Sequence, residues 1–285
     1  MPVGLRSLSP IDPVQGVPVP LRIVYPTDAP ATTHAFGPYT FEAALDAPIA
    51  GTDLPVVVIS HGTGGTPWAY RGLTTALAEA GCVVVLVEHP GNSRADDSLA
   101  NTPANLANRP RHVRIALDAV ADLPVRSGAT VVGHSMGGYT ALAAAGGRPM
   151  SLPTESPDGV GRAIEVERDP RLRGVVLLAP ALPWLMAPGA LADVTIPILV
   201  RTGERDDLIN ADFIRHVLRD LAGVEHTVVP SAGHFFPFFP VPPALAGLPP
   251  AFDPPGFDRA RYQPTLHADI LAFVRESEGL GSVGG

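Results

Sequence analysis

Short runs of apolar, often β-branched residues alternate with helical patterns from residue 54 onward. Buried strands are predicted at 55–60, 82–88, 129–133, 175–179, 196–202 and 225–229, and helices near 67–80, 110–123, 208–221 and 259–276. A strand that is apolar on both faces is typical of a parallel sheet with helices packed on each side. The alternation therefore predicts an α/β fold with a mostly parallel central sheet and helices on both faces.

The first 50 residues follow a different pattern. They consist of short, proline-punctuated extended segments such as Leu21–Pro26, which we predict to be antiparallel strands preceding the parallel part of the sheet. Neither an internal repeat nor a linker is visible, so residues 1–285 are expected to form a single domain. Two features interrupt it: a short lid region at about 180–194, and a loop at 236–257 that is too proline-rich for a helix or central strand.

Composition excludes several classes of function. A formal charge of −8 argues against nucleic acid or an anionic membrane surface as the main partner. The chain has no lysine, so neither a Schiff-base lysine nor a P-loop lysine is available. No run of about 18 apolar residues is present to span a membrane. The single cysteine, Cys82, lies in an apolar run and is expected to be buried.

The N-terminus carries no basic segment followed by an apolar stretch. A signal peptide is therefore not visible, and a cytoplasmic location is the expectation. Secretion of a longer precursor remains an open alternative.

The candidate nucleophile is Ser135, in the segment Gly133-His134-Ser135-Met136-Gly137 between a strand and an alanine-rich helix. Glycine inside regular structure costs stability, so glycines around one hydroxyl need a reason. A tight turn without a function is one reading. A nucleophile elbow is the other, because a serine in a strained strand-to-helix turn needs small neighbours.

A serine nucleophile needs a histidine base and a carboxylate that orients it. Among the histidines after Ser135, only His234 lies in a loop just past the last predicted strand; those excluded are His216, His226 and His267, which fall in helices or a strand. The acid is expected after the strand at 196–202, where Asp206 is favoured over Glu204 and Asp207.

Two backbone N–H groups are expected to hold the oxyanion. Met136 opens the helix after the nucleophile, where unsatisfied donors and the positive end of the helix dipole favour negative charge. The glycine-rich loop at 61–65 follows a strand and is expected to supply Thr63 as the second donor. A serine triad requires no metal, and no residue cluster has zinc-ligand spacing, so neither a metal nor a cofactor is expected.

The segments ISHGTGG, VEHPGNS, GHSMGGYTALAAAGG, RTGERDD and AGHFF together resemble the α/β-hydrolase superfamily over about residues 17–275. More narrowly, they resemble the predicted dienelactone hydrolases related to platelet-activating-factor acetylhydrolase and cutinase-like polyester hydrolases. The resemblance implies an α/β-hydrolase fold, with Ser135, Asp206 and His234 as the triad and Thr63 with Met136 as oxyanion donors. True dienelactone hydrolase has a cysteine nucleophile, so its substrate does not transfer.

The pocket is the least constrained part of the interpretation. Polyester hydrolases carry a tryptophan where this chain has Trp184, which could stack on substrate or anchor the core. Phe235 and Phe236 follow the base directly and could wall an acyl pocket or pack the proline-rich loop. We expect the pocket to be apolar and uncharged, with Arg205 as the only cation nearby and pointing away.

Together these features predict a serine hydrolase that cleaves carboxylic esters with small to medium acyl chains through an acyl-enzyme. Three alternatives stay open: a thioesterase or acyltransferase, a polyester hydrolase on the same triad, and a non-catalytic ligand-binding protein of the same fold. The expected partner is a small-molecule ester.

Overall fold

The computed structural model describes residues 1–281. In chain order, its strands are β1 (Val3–Leu8), β2 (Leu21–Pro26), β3 (Thr32–Phe36), β4 (Tyr39–Leu45), β5 (Leu54–Ser60), β6 (Val83–Val87), β7 (Val125–His134), β8 (Leu172–Leu178), β9 (Ile198–Gly203) and β10 (Val224–Val229). Its helices are α1 (Arg71–Glu79), α2 (Pro103–Asp118), α3 (Met136–Ala144), α4 (Ala211–Leu218) and α5 (Arg259–Ser277).

Within residues 1–281, all these strands form one sheet of ten, in the order β10-β9-β8-β7-β5-β6-β2-β1-β4-β3. Strands β5 to β10 are mutually parallel, whereas β2 is antiparallel to both β6 and β1. The chain leaves β5 for β6 on one side and returns to place β7 on the other side. In open α/β sheets, ligand sites lie at the carboxyl ends of the strands flanking such a switch point.

Two hydrophobic cores lie on opposite faces of this sheet, because successive strand residues point to opposite sides. In β5, Val56 and Val58 pack into a core with α2, α3 and α4. Val57 and Ile59 pack into a second core with α1 and α5. Both faces are therefore covered, and the predicted α/β architecture is confirmed. Cys82 is buried, as expected.

Helix α2 differs most from the prediction, since it begins at Pro103 rather than near residue 110. Thr102 caps it by accepting a hydrogen bond from the Asn105 N–H at 3.2 Å. Pro110 lies inside the helix, where its missing N–H leaves the Leu106 carbonyl without its usual partner. The Tyr139 hydroxyl of α3 donates to that carbonyl at 2.9 Å, which satisfies it and fixes α2 against α3.

The N-terminal strands also depart from a purely antiparallel arrangement, since β1 and β4 pair in parallel. None of the helices in residues 1–281 combines the length and apolar character that crossing a bilayer requires.

Candidate active site

Ser135 occupies a strained turn between β7 and α3. Its φ of 53° and ψ of −120° lie outside the regions that non-glycine residues favour. The strain is held by β8, because the Ser135 N–H donates to the Leu178 carbonyl at 3.0 Å. The Ser135 carbonyl accepts from the N–H groups of Gly138 and Ala181, each at 2.9 Å. The side chain is half-buried, so its hydroxyl remains accessible.

The glycines around Ser135 are required by close backbone approach. A Cβ at Gly137 would lie 2.0 Å from the Ser60 carbonyl oxygen at the end of β5. A Cβ at Gly133 would lie 2.1 Å from the Gly137 carbonyl oxygen, where strand and helix touch. No side chain fits at either position, which is the steric reason for the Gly-x-Ser-x-Gly spacing.

His234 and Asp206 form a buried pair. The His234 Nδ1–H donates to Asp206 Oδ2 at 2.9 Å, and both side chains are almost fully buried. Asp206 Oδ1 accepts from the backbone N–H groups of Leu208 and Ile209 at 2.9 and 2.8 Å, which fixes the carboxylate. Donation from Nδ1 leaves Nε2 of His234 as the proton-accepting nitrogen.

The two competing carboxylates lie elsewhere. Glu204 is exposed and accepts a hydrogen bond from the Ser231 N–H at 2.7 Å, while Asp207 is exposed. Neither caps α4, which Asn210 caps instead. Among the hydrogen bonds of residues 1–281, Asp206 is the candidate of the three whose side chain pairs with His234.

Ser135 and His234 line one cavity of about 340 Å³. Within residues 1–281, no hydrogen bond joins the Ser135 hydroxyl to His234 Nε2, although both groups face this cavity. In enzymes without substrate, such contacts are often long and tighten only when the substrate binds.

The glycine-rich loop after β5 runs beside the serine. A Cβ at Gly62 would lie 3.1 Å from the Ser135 Cβ, so the loop approaches the serine closely. The Thr63 hydroxyl donates to Met136 Sδ at 3.2 Å, so the two expected oxyanion residues are in contact. The Met136 N–H is in the first turn of α3, where it has no partner within the helix, and no hydrogen bond from the Thr63 N–H occurs within residues 1–281.

His134, which the sequence interpretation gave no role, connects this site to the core beneath it. Its Nδ1 accepts from the Tyr70 hydroxyl at 2.8 Å, and its Nε2–H donates to the His234 carbonyl at 3.0 Å. Burial, reinforced by the neighbouring His234, lowers the pKa of His134 well below its usual value. A neutral His134 therefore holds the loop that carries His234.

The cavity wall agrees with only part of the expectation. Phe235 lines the cavity, whereas Phe236 is buried in the core against Tyr262 and does not line it. Trp184 is not in the lining either. Its indole N–H donates to both Glu155 carboxylate oxygens, at 2.8 and 3.0 Å, and its ring packs edge-on against Tyr139. Trp184 is therefore a core anchor in this structure, which is the alternative that the sequence left open.

The remaining apolar wall comes mainly from the proline-rich loop. The cavity is lined there by Phe238, Val241, Leu245, Leu248 and Pro250, while no residue of 180–194 contributes. The loop is therefore the element that covers the site in this structure, and the region expected to form a lid is not.

The expectation of an uncharged pocket is wrong. Arg205 does point away, since its guanidinium donates to the Pro255 carbonyl at 2.5 Å. Arg94, however, lies in the cavity lining together with Tyr39. Burial raises the pKa of Tyr39, and the charges of Arg94 and Arg71 oppose that effect. Arg94 follows β6 by several residues, so its place at the site depends on how the loop folds back. The backbone N–H of Arg94 donates a hydrogen bond to the Gly65 carbonyl at 2.7 Å, which joins Arg94 to the glycine-rich loop.

Comparisons with known proteins agree with this geometry. The alpha/beta hydrolase family matches residues 56–192, which run from β5 past the nucleophile turn and β8. A search of curated proteins finds no match.

Solved structures resemble the chain over nearly its whole length. A ferulic acid esterase from Streptomyces cinnamoneus has a TM-score of 0.70 and 20% identity, covering 99% of this chain and 92% of that chain. Esterase 2 of Thermogutta terrifontis has a TM-score of 0.60 and 15% identity, covering 98% and 97%. A dienelactone hydrolase from Anabaena variabilis has a TM-score of 0.56 and 18% identity, covering 93% and 96%.

The resemblance drawn from the sequence motifs is thus confirmed at the level of the fold. The chain has the α/β-hydrolase fold, with a ten-stranded sheet and a strand–serine–helix turn within residues 1–281, and its residues 56–192 match the alpha/beta hydrolase family.

Proposed function

We propose that the protein is a serine hydrolase that cleaves carboxylic esters, with Ser135 as nucleophile, His234 as base and Asp206 as acid. One observation carries the proposal: a strained serine turn and a buried His–Asp pair open into the same, mainly apolar cavity. Backbone strain of the kind seen at Ser135 is typical of functional positions. The esterases among the structural neighbours are consistent with this chemistry.

The reaction follows from the positions of these groups. His234 Nε2 accepts the hydroxyl proton as Ser135 Oγ bonds to the ester carbonyl carbon. Asp206 keeps the imidazole in the tautomer with a proton on Nδ1 and stabilises the imidazolium that forms. The N–H groups of Thr63 and Met136 hold the oxyanion. Collapse of the tetrahedral intermediate breaks the ester C–O bond, and the imidazolium proton passes to the leaving alcohol.

The second half of the reaction regenerates the serine. Water loses a proton to His234 Nε2 and bonds to the acyl carbon, and the imidazolium then returns that proton to Ser135 Oγ as the acid leaves. A cavity of about 340 Å³ with walls of Phe235, Phe238 and leucines suits an acyl group of small to medium length. Each buried methylene contributes about 0.8 kcal/mol at most, so kcat/KM should rise with chain length until the cavity is full.

The nucleophile is tested by substitution and by covalent labelling. We expect Ser135→Ala to fold normally and to lose on the order of 10³-fold or more of its p-nitrophenyl ester hydrolysis, because the acyl-enzyme cannot form. Paraoxon, which phosphorylates esterase 2 of Thermogutta terrifontis, should inactivate the protein and leave a diethylphosphoryl group on the peptide containing Ser135.

The matched control is Ser7→Ala in β1, which β5, β6 and β2 separate from β7 in the sheet, and this variant should keep full activity. Hydrolysis by Ser135→Ala within about tenfold of the parent rate would contradict the assignment, since loss of a true nucleophile costs far more. Phosphorylation at another residue would contradict it equally.

A further inference from the structure

Arg109 of α2 is buried completely beneath the site, with 0% of its surface exposed. Its Nε–H donates to Thr140 Oγ1 at 2.9 Å and its Nη1–H to Asn92 Oδ1 at 2.6 Å. Its Nη2 donates to the His61 carbonyl and, at 3.3 Å, to Ser60 Oγ. All these partners are neutral. No carboxylate of residues 1–281 lies within ion-pair distance of the guanidinium.

A buried cation without a counter-ion is costly, so its retention needs a reason. Burial lowers the pKa of Arg109 to about 9, which still leaves the group charged at neutral pH. The other deeply buried arginines, Arg201 and Arg259, each pair with carboxylates. Arg109 has no such carboxylate partner within residues 1–281. The groups that it binds lie in the glycine-rich loop and α3, which carry the two oxyanion donors, or next to them.

The first connection reaches the glycine-rich loop. The His61 carbonyl that Arg109 binds belongs to the peptide leading into Gly62 and then Thr63. Asn92 extends the contact, since its Nδ2–H donates to Asp97 Oδ1 at 2.6 Å. The Asp97 carboxylate in turn lies 3.4 Å from where a Cβ at Gly64 would stand. The guanidinium thus binds the start of the loop directly, and the hydrogen-bonded pair of Asn92 and Asp97 lies beside Gly64.

The second connection reaches the nucleophile helix. Thr140 Oγ1 accepts from Arg109 Nε and donates to the Met136 carbonyl at 3.1 Å. Met136 is the first residue of α3 and carries the other oxyanion N–H. One planar guanidinium, whose donors have fixed relative directions, therefore links the two backbone segments that hold these N–H groups.

We propose that Arg109 is a positioning residue for the oxyanion hole, which sets the separation of the Thr63 and Met136 N–H groups. The inference rests on the proposed function. Preorganised donors stabilise a transition state only when they are held where the oxyanion develops, and a small displacement reduces that stabilisation sharply. Within residues 1–281, no hydrogen bond joins Arg109 to Ser135 or His234, so Arg109 acts through the backbone of the loop and the helix.

The test replaces Arg109 by Met and, separately, by Lys. Lysine keeps the charge, but a single ammonium cannot bridge the His61 carbonyl, Asn92 and Thr140 together. We expect both variants to lose on the order of 10- to 100-fold in kcat with KM within about threefold, because the ground-state ester does not use the oxyanion hole. Affinity for a trifluoromethyl ketone, whose adduct carries an oxyanion, should fall in parallel with kcat/KM.

The control is Arg201→Met, which removes an arginine of similar burial from β9, where its partners are Glu225 and Asp269. It should lower the urea midpoint while kcat stays unchanged. Thr140→Val is a milder variant, which removes the hydroxyl that joins Arg109 Nε to the Met136 carbonyl and should lower kcat in the same direction. It keeps the inference testable if Arg109→Met fails to fold.

The outcomes separate the two proposals. If the parent protein cleaves esters and Ser135→Ala does not, but the folded Arg109 and Thr140 variants keep kcat, the positioning role is overturned alone. A loss confined to KM, or an equal loss of kcat in Arg201→Met, also overturns it. If the parent protein cleaves no ester, the proposed function fails and the inference with it.

Discussion

Asp206 and His234 meet because the loops that carry them are joined backbone to backbone. A Cβ at Gly203 would lie 2.4 Å from the Ala232 carbonyl oxygen, and the Arg205 N–H donates to that same oxygen at 2.8 Å. The acid loop therefore leaves β9 in contact with the loop that ends in the base. As a result, the Asp206 side chain points inward to His234, while the residues on either side of it are exposed to solvent.

This alternation makes the acid testable at single-residue resolution. We expect Asp206→Asn to lose on the order of 10³- to 10⁴-fold in kcat/KM for a p-nitrophenyl ester, because an amide disfavours the tautomer with Nδ1 protonated. Asp207→Asn and Glu204→Gln are the matched controls and should stay within about threefold, as expected for exposed side chains. A larger loss at Asp207 would move the acid by one residue.

Residues on local motifs could be predicted from the sequence, whereas residues that reach the site through packing could not. Ser135 directly follows β7, and His234 lies in the short loop after β10, so the chain pattern alone indicates where they lie. Trp184 also follows a strand, but its direction depends on Glu155, from an irregular stretch with no pattern to predict it. Arg109 is one of several arginines in α2, and nothing in the sequence separates it from Arg111 or Arg114, which form ion pairs with carboxylates.

At the scale of elements, the N-terminal segment is attached to α2 by one buried carboxylate. Asp12 accepts from Arg111 Nε at 2.8 Å and from Arg111 Nη2 at 2.7 Å, and His112 Nε2 lies 3.2 Å from it. Burial alone would raise the pKa of Asp12, but the hydrogen bonds from His112, Arg111 and the Val14 N–H outweigh it, and the pKa is lowered. The segment between β1 and β2 thereby covers the same helix that carries Arg109.

Asp12→Asn should consequently destabilise the protein in a pH-dependent way. A carboxylate with a lowered folded-state pKa contributes stability above its unfolded pKa of about 3.9 and loses it as the pH falls further. We expect a loss of about 3 kcal/mol in the free energy of unfolding at pH 7, since breaking a buried pair leaves the Arg111 guanidinium without its counter-ion. The difference from the parent should shrink below about pH 4.

Urea unfolding at several pH values measures this difference, with the exposed Asp28→Asn as control. A loss that stays constant from pH 7 to pH 3 would show that the Asp12 charge is not the source.

Helix α2 also shows the limit of sequence patterns at this scale. The spacing of apolar residues predicts a helix near 110–123, and no local pattern reveals that the Tyr139 hydroxyl of α3 satisfies the Leu106 carbonyl that Pro110 leaves without a partner.

At the scale of the whole molecule, the two cores are built on the same central strands, whose successive residues point alternately into one core and the other. A strand such as β5 cannot leave one core without exposing the alternate residues that it contributes to the other. The chain has two tryptophans, and they fall on opposite faces. Trp68 is 7% exposed in the core with α1 and α5 and stacks on Phe36, whereas Trp184 packs against the core with α2 and α3.

The single-domain expectation can therefore be tested with one fluorophore on each face. We expect Trp68→Phe, which leaves Trp184, and Trp184→Phe, which leaves Trp68, each to show a single urea transition, since the shared sheet couples the cores. Each fluorescence midpoint should coincide with the midpoint of far-ultraviolet circular dichroism for the same variant. This internal comparison removes the effect of each substitution on stability.

Labelling of Cys82, which is 1% exposed in the same core as Trp68, should become fast only across that transition. A fluorescence transition on one face that precedes the loss of circular dichroism would mean that the two faces unfold separately, and the chain would then not be one cooperative unit.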